Sequence, residues 1–316
     1  MTTHNLIGSY PQAPAREMSD VVDAALIAVD ARMNTAVDSE VPVLRDASRH
    51  IIQAGGKRVR PRLLMLSHLA CSGDSIDDAV TISAALELVH TASVVHDDIN
   101  DHGVLRRGRP SVNALWGRTF ALLTGDFLFT KVYELMAPYK DLNILLAEAT
   151  VALVEGETLQ ASAVKEKNFT REIYYRIIGL KTAALFRAAG AMGGQLADAS
   201  PKIVNALGNF GYNVGLAFQI IDDLLDLTGD SEQLGKTSGI DLEQGRGFAA
   251  AHGDTEAQDM IDALKSKALQ SDTLHEGRSR AEQLVQLAIQ ELSILPDSEA
   301  KAGLIELAHN VINRSN

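Results

Sequence analysis

The chain holds a single cysteine, Cys71, so no intrachain disulfide can form. Stability must come from a packed core, and one lone thiol fits a reducing compartment. Aromatic residues are scarce, at 5%, so that core has to be built from aliphatic side chains and alanine. Of the 8 prolines, none lies between 202 and 295, and most sit where a helix would start or stop: Pro42, Pro61, Pro110, Pro138, Pro201 and Pro296. No uninterrupted apolar run reaches the roughly 18–20 residues of a membrane-spanning helix, and the opening MTTHNLIGSYPQAPAREMSD has no apolar signal core. Positive charge is in deficit: Lys and Arg number 29 against 41 Asp and Glu, a net charge of −12. That balance argues against a nucleic-acid partner and leaves room only for a local basic site. The expectation is a cytoplasmic protein, with a short flexible leader over residues 1–18 and one domain over 19–316.

What is present is helix. Apolar residues recur at three- and four-residue spacing in VVDAALIAVDARM, AVTISAALELVHTASVV, ALLTGDFLFTKVYELM, LLAEATVALVEGETLQ and AEQLVQLAIQELSIL. Ser19 and Asp20 suit the cap of a first helix running to about Asn34. No convincing run of alternating strand residues occurs, and 229–255, rich in Gly, Asp and Ser, reads as an ordered loop or short helices. At 316 residues and 46% hydrophobic the chain can bury a sizeable core. The fold class expected is all-α, a large single-domain bundle.

Two acidic clusters stand out. In SVVHDDINDHGVLRRGRP, a helix over 80–101 would put Asp97 and Asp101 on one face, with Asp98 about 100° away. FQIIDDLLDLTGD repeats the pattern 125 residues later with Asp222, Asp223 and Asp226, inside a strongly apolar helix. Like charges this close repel and call for water or a cation. Oxygen ligands at a wet helix end suit Mg²⁺, which keeps several waters and bridges to phosphates. The plain alternative is a solvated acidic helix end, and the recurrence weakens it. Basic residues follow closely: Lys57, Arg58 and Arg60 in AGGKRVRPRLL, the pair Arg106 and Arg107, Lys181 and Thr182 in GLKTAALF, and Lys236 and Arg246 in LGKTSGIDLEQGR. Guanidinium groups and helix N-termini both suit a diphosphate; an ordinary basic loop and a snorkelling lysine are the plain readings. Gly208, Gly211 and Gly215 form one stripe, for close helix packing or for ligand room.

With these motifs on the page, the chain resembles the trans-isoprenyl diphosphate synthases, the polyprenyl synthetase family. The likeness runs from about Leu44 to Arg314 and rests on GGKRVRPRLL, LELVHTASVVHDDIND, LRRGRPSVN, LLTGDFLF, EGETLQ, KTAALF, FQIIDDLLD and GKTSGIDLEQGR, in family order. It implies antiparallel helices around a deep central cavity, usually in a homodimer. It also implies a Mg²⁺-dependent prenyltransferase that joins an allylic prenyl diphosphate to isopentenyl diphosphate. By motif, Asp97, Asp101 and Asp222 would ligate Mg²⁺, with Asp98, Asp223 and Asp226 completing the clusters. The six aspartates, if ionised, match the charge of about three Mg²⁺. Arg106, Lys181, Thr182, Gln219 and Lys236 would bind the allylic diphosphate, and Lys57, Arg60, His90 and Arg107 isopentenyl diphosphate. Two departures are visible: Arg246 stands where the family usually has Lys, and GFAAAHG replaces a Thr-Leu-Pro stretch.

Product length follows from the channel. In the family a bulky aromatic four or five residues before the first Asp stops growth early; here those places hold Ser93 and Ala92. With Val89 and Ala85 they form a stripe of small residues, so a product longer than geranylgeranyl is expected. Phe127, Phe129, Tyr133 and Met136 are floor candidates, or plain core. The resemblance leaves room for a transient membrane contact during product release. A short-chain synthase is the alternative. Further off lie an HD-type metal phosphohydrolase, which leaves GGKRVRP and the second cluster unexplained, a terpene cyclase, and a non-catalytic synthase subunit, which would be expected to have lost a cluster.

Overall fold

The computed structural model of the chain describes residues 18–228, Gly247 and residues 271–313. These are almost wholly helical: α1 (Met18–Ala36), α2 (Pro42–Gln53), α3 (Val59–Ala70), α4 (Ile76–Asn100), α5 (Val112–Met136), α6 (Lys140–Lys165), α7 (Arg171–Ile178), α8 (Ala184–Leu196), α9 (Pro201–Thr228), α10 (Ser271–Glu291) and α11 (Glu299–Ile312). A π-helical turn, Gly179–Ala183, joins α7 to α8. A short antiparallel hairpin, β1 (Leu105–Arg106) and β2 (Arg109–Pro110), follows α4. The leader over 1–17 and the segment 229–255, Gly247 excepted, lie outside the described residues.

Helix boundaries follow local chemistry. Pro42 and Pro201 open α2 and α9, and Pro61 sits in the first turn of α3, where a missing N–H is harmless. The hydroxyls of Ser111, Thr170 and Ser298 accept backbone N–H bonds and cap α5, α7 and α11. Ser19 and Asp20 prove to lie inside the first turn of α1, which begins at Met18, and Asp20 there complements the helix dipole.

Short connections turn consecutive long helices back on one another, α4 against α5 and α8 against α9. Helix α4 lies at the centre, packed on α1, α3, α5 and α8, with Ala84, Ala85, Leu86, Leu88, Val89 and Ala92 all fully buried. Among the described residues it is the one helix long and apolar enough to cross a membrane, and 83% of its apolar window is buried in the bundle. Its hydropathy therefore answers to a core that wraps it on every side.

The scarcity of aromatics is matched by close backbone packing. A Cβ on Gly190 or Gly211 would strike a carbonyl oxygen of the facing helix, that of Leu207 or Phe186. On Gly215 it would come within 2.7 Å of Ala183 Cα. The glycine stripe is thus a seam between α8 and α9, while Gly208 makes only ordinary contacts with Ala191 and Arg187. On the opposite side, α5 and α6 expose Leu115, Leu122, Leu123, Ile144, Val151 and Val154. Tyr133 is 68% exposed on the same side, so it forms no cavity floor within this chain. Met136 is fully buried, and Phe127 and Phe129 are half-buried against the core.

Candidate active site

Helix α4 carries Asp97 and Asp98 in its last turn and Asp101 at its C-terminal cap; α9 carries Asp222, Asp223 and Asp226 near its end. Both clusters occupy the negative end of a helix dipole, and neither helix has a basic residue in its last turn. The fold thus piles negative charge on negative charge at two places. Both places line one cavity of about 250 Å³.

The carboxylates are not equivalent. Asp98 is 2% exposed, and Arg106 donates to its Oδ1 from Nε (3.0 Å) and a terminal nitrogen (2.6 Å). Burial pushes its pKa up, the arginine opposes that, and Asp97 and Asp101 add to the rise. Its Oδ2 is buried with no hydrogen-bond partner among the described residues. Asp223 accepts from the Tyr174 hydroxyl at 2.7 Å and from Gln219 Nε2 at 2.8 Å, and Thr182 Oγ1 donates to Gln219 Oε1 at 2.8 Å. Thr182 and Gln219 line the cavity and are hydrogen-bonded to each other, and Gln219 to Asp223. Asp97, Asp101, Asp222 and Asp226 also line the cavity.

The π-turn carries Lys181 into the gap between the clusters. Its ammonium lies 3.4 Å from Asp97 Oδ2 and 2.8 Å from Glu157 Oε1. Burial pushes Glu157 up to about 7, with the Asp97 charge adding and Lys181 opposing. Gly156 makes this approach feasible, since a Cβ there would come within 2.6 Å of Lys181 N.

The other cations converge from two loops. Arg107 and Gly108 both have positive φ, +53° and +72°, so the hairpin turns on a two-residue loop of the primed type. The hairpin is fastened by His50 Nε2, which donates to Pro110 O at 2.8 Å, and by Ser111 Oγ, which donates to Gly103 O at 2.6 Å. Its tip returns Arg107 to the loop before α3, where the guanidinium lies against Gly56. Arg60 is buried with its guanidinium 4.7 Å above the Phe186 ring, and lines the cavity with His90. Burial and the charges of Arg60, Arg107, Arg106 and Arg58 hold His90 well below the ordinary imidazole range, so it is neutral at pH 7. Lys57 is exposed beside them.

Of the length-determining stripe, Ser93 lines the cavity, whereas Ala92 and Val89 are fully buried below it and do not. Lys236 and Arg246 lie outside the described residues. Sequence reasoning gave no role to Tyr174, Glu157 or Gln160, all cavity or cluster neighbours. Tyr174 stands seven residues before Lys181, and Glu157 belongs to the EGETLQ motif, so position within the motifs was the available signal.

Among the described residues no three acidic, histidine or cysteine side chains close on one point as a complete metal site. The donor set is carboxylate oxygen, split between two open helix ends, with an orphaned buried oxygen on Asp98. This fits a hard divalent cation that keeps waters and takes its remaining ligands from a phosphorylated substrate.

A family model described as polyprenyl synthetase matches residues 41–282. The chain is 35% identical over 318 residues to octaprenyl diphosphate synthase of Escherichia coli, covering 94% of this chain and 98% of that one. It is 33% identical over 309 residues to the geranyl-diphosphate-specific all-trans-nonaprenyl-diphosphate synthase of Rhodobacter capsulatus, covering 91% and 94%. Its structure is similar to that of a polyprenyl synthase from Caulobacter crescentus complexed with calcium and isoprenyl diphosphate, with a TM-score of 0.87, 29% identity, and 97% and 100% of the chains covered.

Proposed function

The chain belongs to the polyprenyl synthetase family and is a trans-prenyltransferase, and we propose that it extends an allylic diphosphate repeatedly with isopentenyl diphosphate to a product longer than geranylgeranyl. The observation that carries this is the pairing of two carboxylate clusters, each at a helix C-terminus, across one cavity that also receives Lys181, Arg106, Arg60 and His90. Relatives named for octaprenyl and nonaprenyl products support the longer chain.

Asp97, Asp101 and Asp222 would hold divalent metal, Mg²⁺ in this reading and about three ions by charge balance with six aspartates. When bound, the metal supplies charge for the departing diphosphate. The chain's own groups do the rest. Asp98, clamped by Arg106, and Asp223, clamped by Tyr174 and Gln219, fix the two clusters. Lys181, Arg106 and, in the segment outside the described residues, Lys236 and Arg246 neutralise the allylic diphosphate as its C–O bond breaks. Thr182 and Gln219, which line the cavity, complete the allylic site, and Gln219 also orients Asp223. Lys57, Arg60, His90 and Arg107 orient isopentenyl diphosphate so that its alkene faces the allylic cation. The proton lost afterwards passes to the released diphosphate.

Of the stripe of small residues Ser93 lines the cavity, and the growing tail passes it toward Ala92 and Val89. The exposed apolar face of α5 and α6 supports a homodimer. Val104 and Leu105, exposed beside the cavity, support a brief membrane contact at product release, and the reading places the enzyme in the cytoplasm. The test is incubation with farnesyl diphosphate, isopentenyl diphosphate and Mg²⁺, followed by chromatography of the dephosphorylated products. A ladder ending beyond geranylgeraniol is expected. Products no longer than geranylgeraniol would overturn the length, and phosphate release from nucleotides without prenyl transfer would overturn the reaction.

A further inference from the structure

Glu87 lies on α4 nearly three turns before Asp97 and is 3% exposed. A carboxylate in so apolar a helix is costly unless it is matched. Its Oε1 accepts from a terminal nitrogen of Arg58 at 3.0 Å, while Oε2 is buried with no hydrogen-bond partner among the described residues. Arg58, like Arg60 of the same basic motif, is itself buried. Its Nε donates to Asp30 Oδ1 at 2.7 Å and its other terminal nitrogen to Ile52 O at 3.2 Å. One guanidinium therefore ties the loop before α3 to α1, α2 and α4. Arg58 also has φ +46°, a conformation a residue with a side chain holds only where its surroundings fix it.

The far side of Glu87 matters as much. A small cavity of about 20 Å³ is lined by Glu87, Arg58, His90, Arg106 and Arg107. Burial works against the charge on Arg107, and Glu87 favours it. An anion in the wall of a diphosphate site would repel the ligand unless neutralised, and Arg58 supplies that neutralisation from behind.

We infer that Glu87 is a positioning residue for isopentenyl diphosphate: with Arg58 as a strut it fixes the loop bearing Lys57 and the first turn of α3 bearing Arg60, and keeps Arg107 aimed into the same site. This rests on the reading that Lys57, Arg60, His90 and Arg107 hold that substrate. Steady-state kinetics with each substrate varied in turn test it. Glu87→Gln is expected to raise KM for isopentenyl diphosphate about tenfold, with kcat and the allylic KM within about twofold. Asp30→Asn, at the half-exposed end of the same strut, should move KM in the same direction by about threefold. Glu87→Gln combined with Arg58→Gln should be no worse than the poorer single variant, because both remove one strut. A lower melting temperature without the KM split would make Glu87 merely structural and overturn the inference. Should Glu87→Gln fail to fold, Asp30→Asn decides: an unchanged KM overturns it. Arg107→Ala separates the two readings. If it leaves that KM unchanged, the substrate assignment falls; if it raises KM while the Glu87 and Asp30 variants do not, the strut alone falls.

Discussion

Asp97 and Asp222 sit on different helices yet face one cavity, so each should be indispensable to the chemistry and dispensable to the fold. Asp97→Ala or Asp222→Ala is expected to lower turnover by about two to three orders of magnitude, the usual loss when one stabilising group for developing charge is removed. The circular dichroism spectrum should stay that of the parent; near-parental turnover with Mg²⁺ present would remove that residue from the metal site. His90 makes a second prediction. Its pKa is lower folded than unfolded, so on acidification the unfolded chain takes up a proton that the folded chain refuses. The His90 contribution to stability is complete above the ordinary imidazole range and falls away as the pH drops through it. Urea denaturation at pH 5 and pH 8 should show a smaller loss on acidification in His90→Gln than in the parent. The acidic clusters and cations were legible in sequence because their spacing along one helix defines them. Glu87 and Tyr174 were not, because their meaning lies in Arg58 and Asp223, partners 29 and 49 residues away. For the same reason sequence could not show that Gln219 and Thr182 are engaged with Asp223 and each other.

The helices themselves were readable from apolar spacing, proline placement and caps, down to α4 as one continuous rod beneath the first cluster. The π-turn at Gly179–Ala183 was not. It alters the pitch by one residue, within a run whose composition is ordinary helix, and its consequence, the aim of Lys181, depends on contact with Gly156 of α6. Gly156→Val should overpack that contact, destabilising the protein by about 1–3 kcal/mol in urea unfolding and reducing turnover more than binding of either substrate. An unchanged unfolding midpoint would show that the helices part freely there. On α4, Ala92 stands about 7 Å along the axis from Asp97 at 1.5 Å per residue. Ala92→Tyr should shorten the product while sparing the first condensation, as seen by chromatography of dephosphorylated products. An active variant with unchanged product length would take Ala92 out of the channel.

For the molecule as a whole, the helical spacing of apolar residues already pointed to an all-helical bundle, and 46% hydrophobic residues with few aromatics to a sizeable core of aliphatic side chains. The outer face of α5 and α6 was beyond reach of that reasoning. Those helices carry apolar residues on more than one face, and sequence does not tell which apolar side meets this chain's own core and which is left over. In the structure the remainder includes Leu122, Leu123, Val151 and Val154. Leu122→Asp with Val151→Asp should convert a dimer into monomers in light scattering after size exclusion. A parent that already runs as a monomer would refute the proposed assembly.

The glycine seam between α8 and α9 bears on how such an enzyme can diversify. Helix α8 packs against both α4 and α9, the two mounts of the aspartate clusters. Where backbone meets backbone there is no side chain left to enlarge or trim, so mutation has little means of resetting the gap at that seam. The path proposed for the tail, past Ser93 toward Ala92 and Val89, is bounded by side chains, which substitution can enlarge or trim. Variation is thereby channelled: a lineage, or an engineer, can retune what the enzyme makes while inheriting unchanged the machinery that makes it.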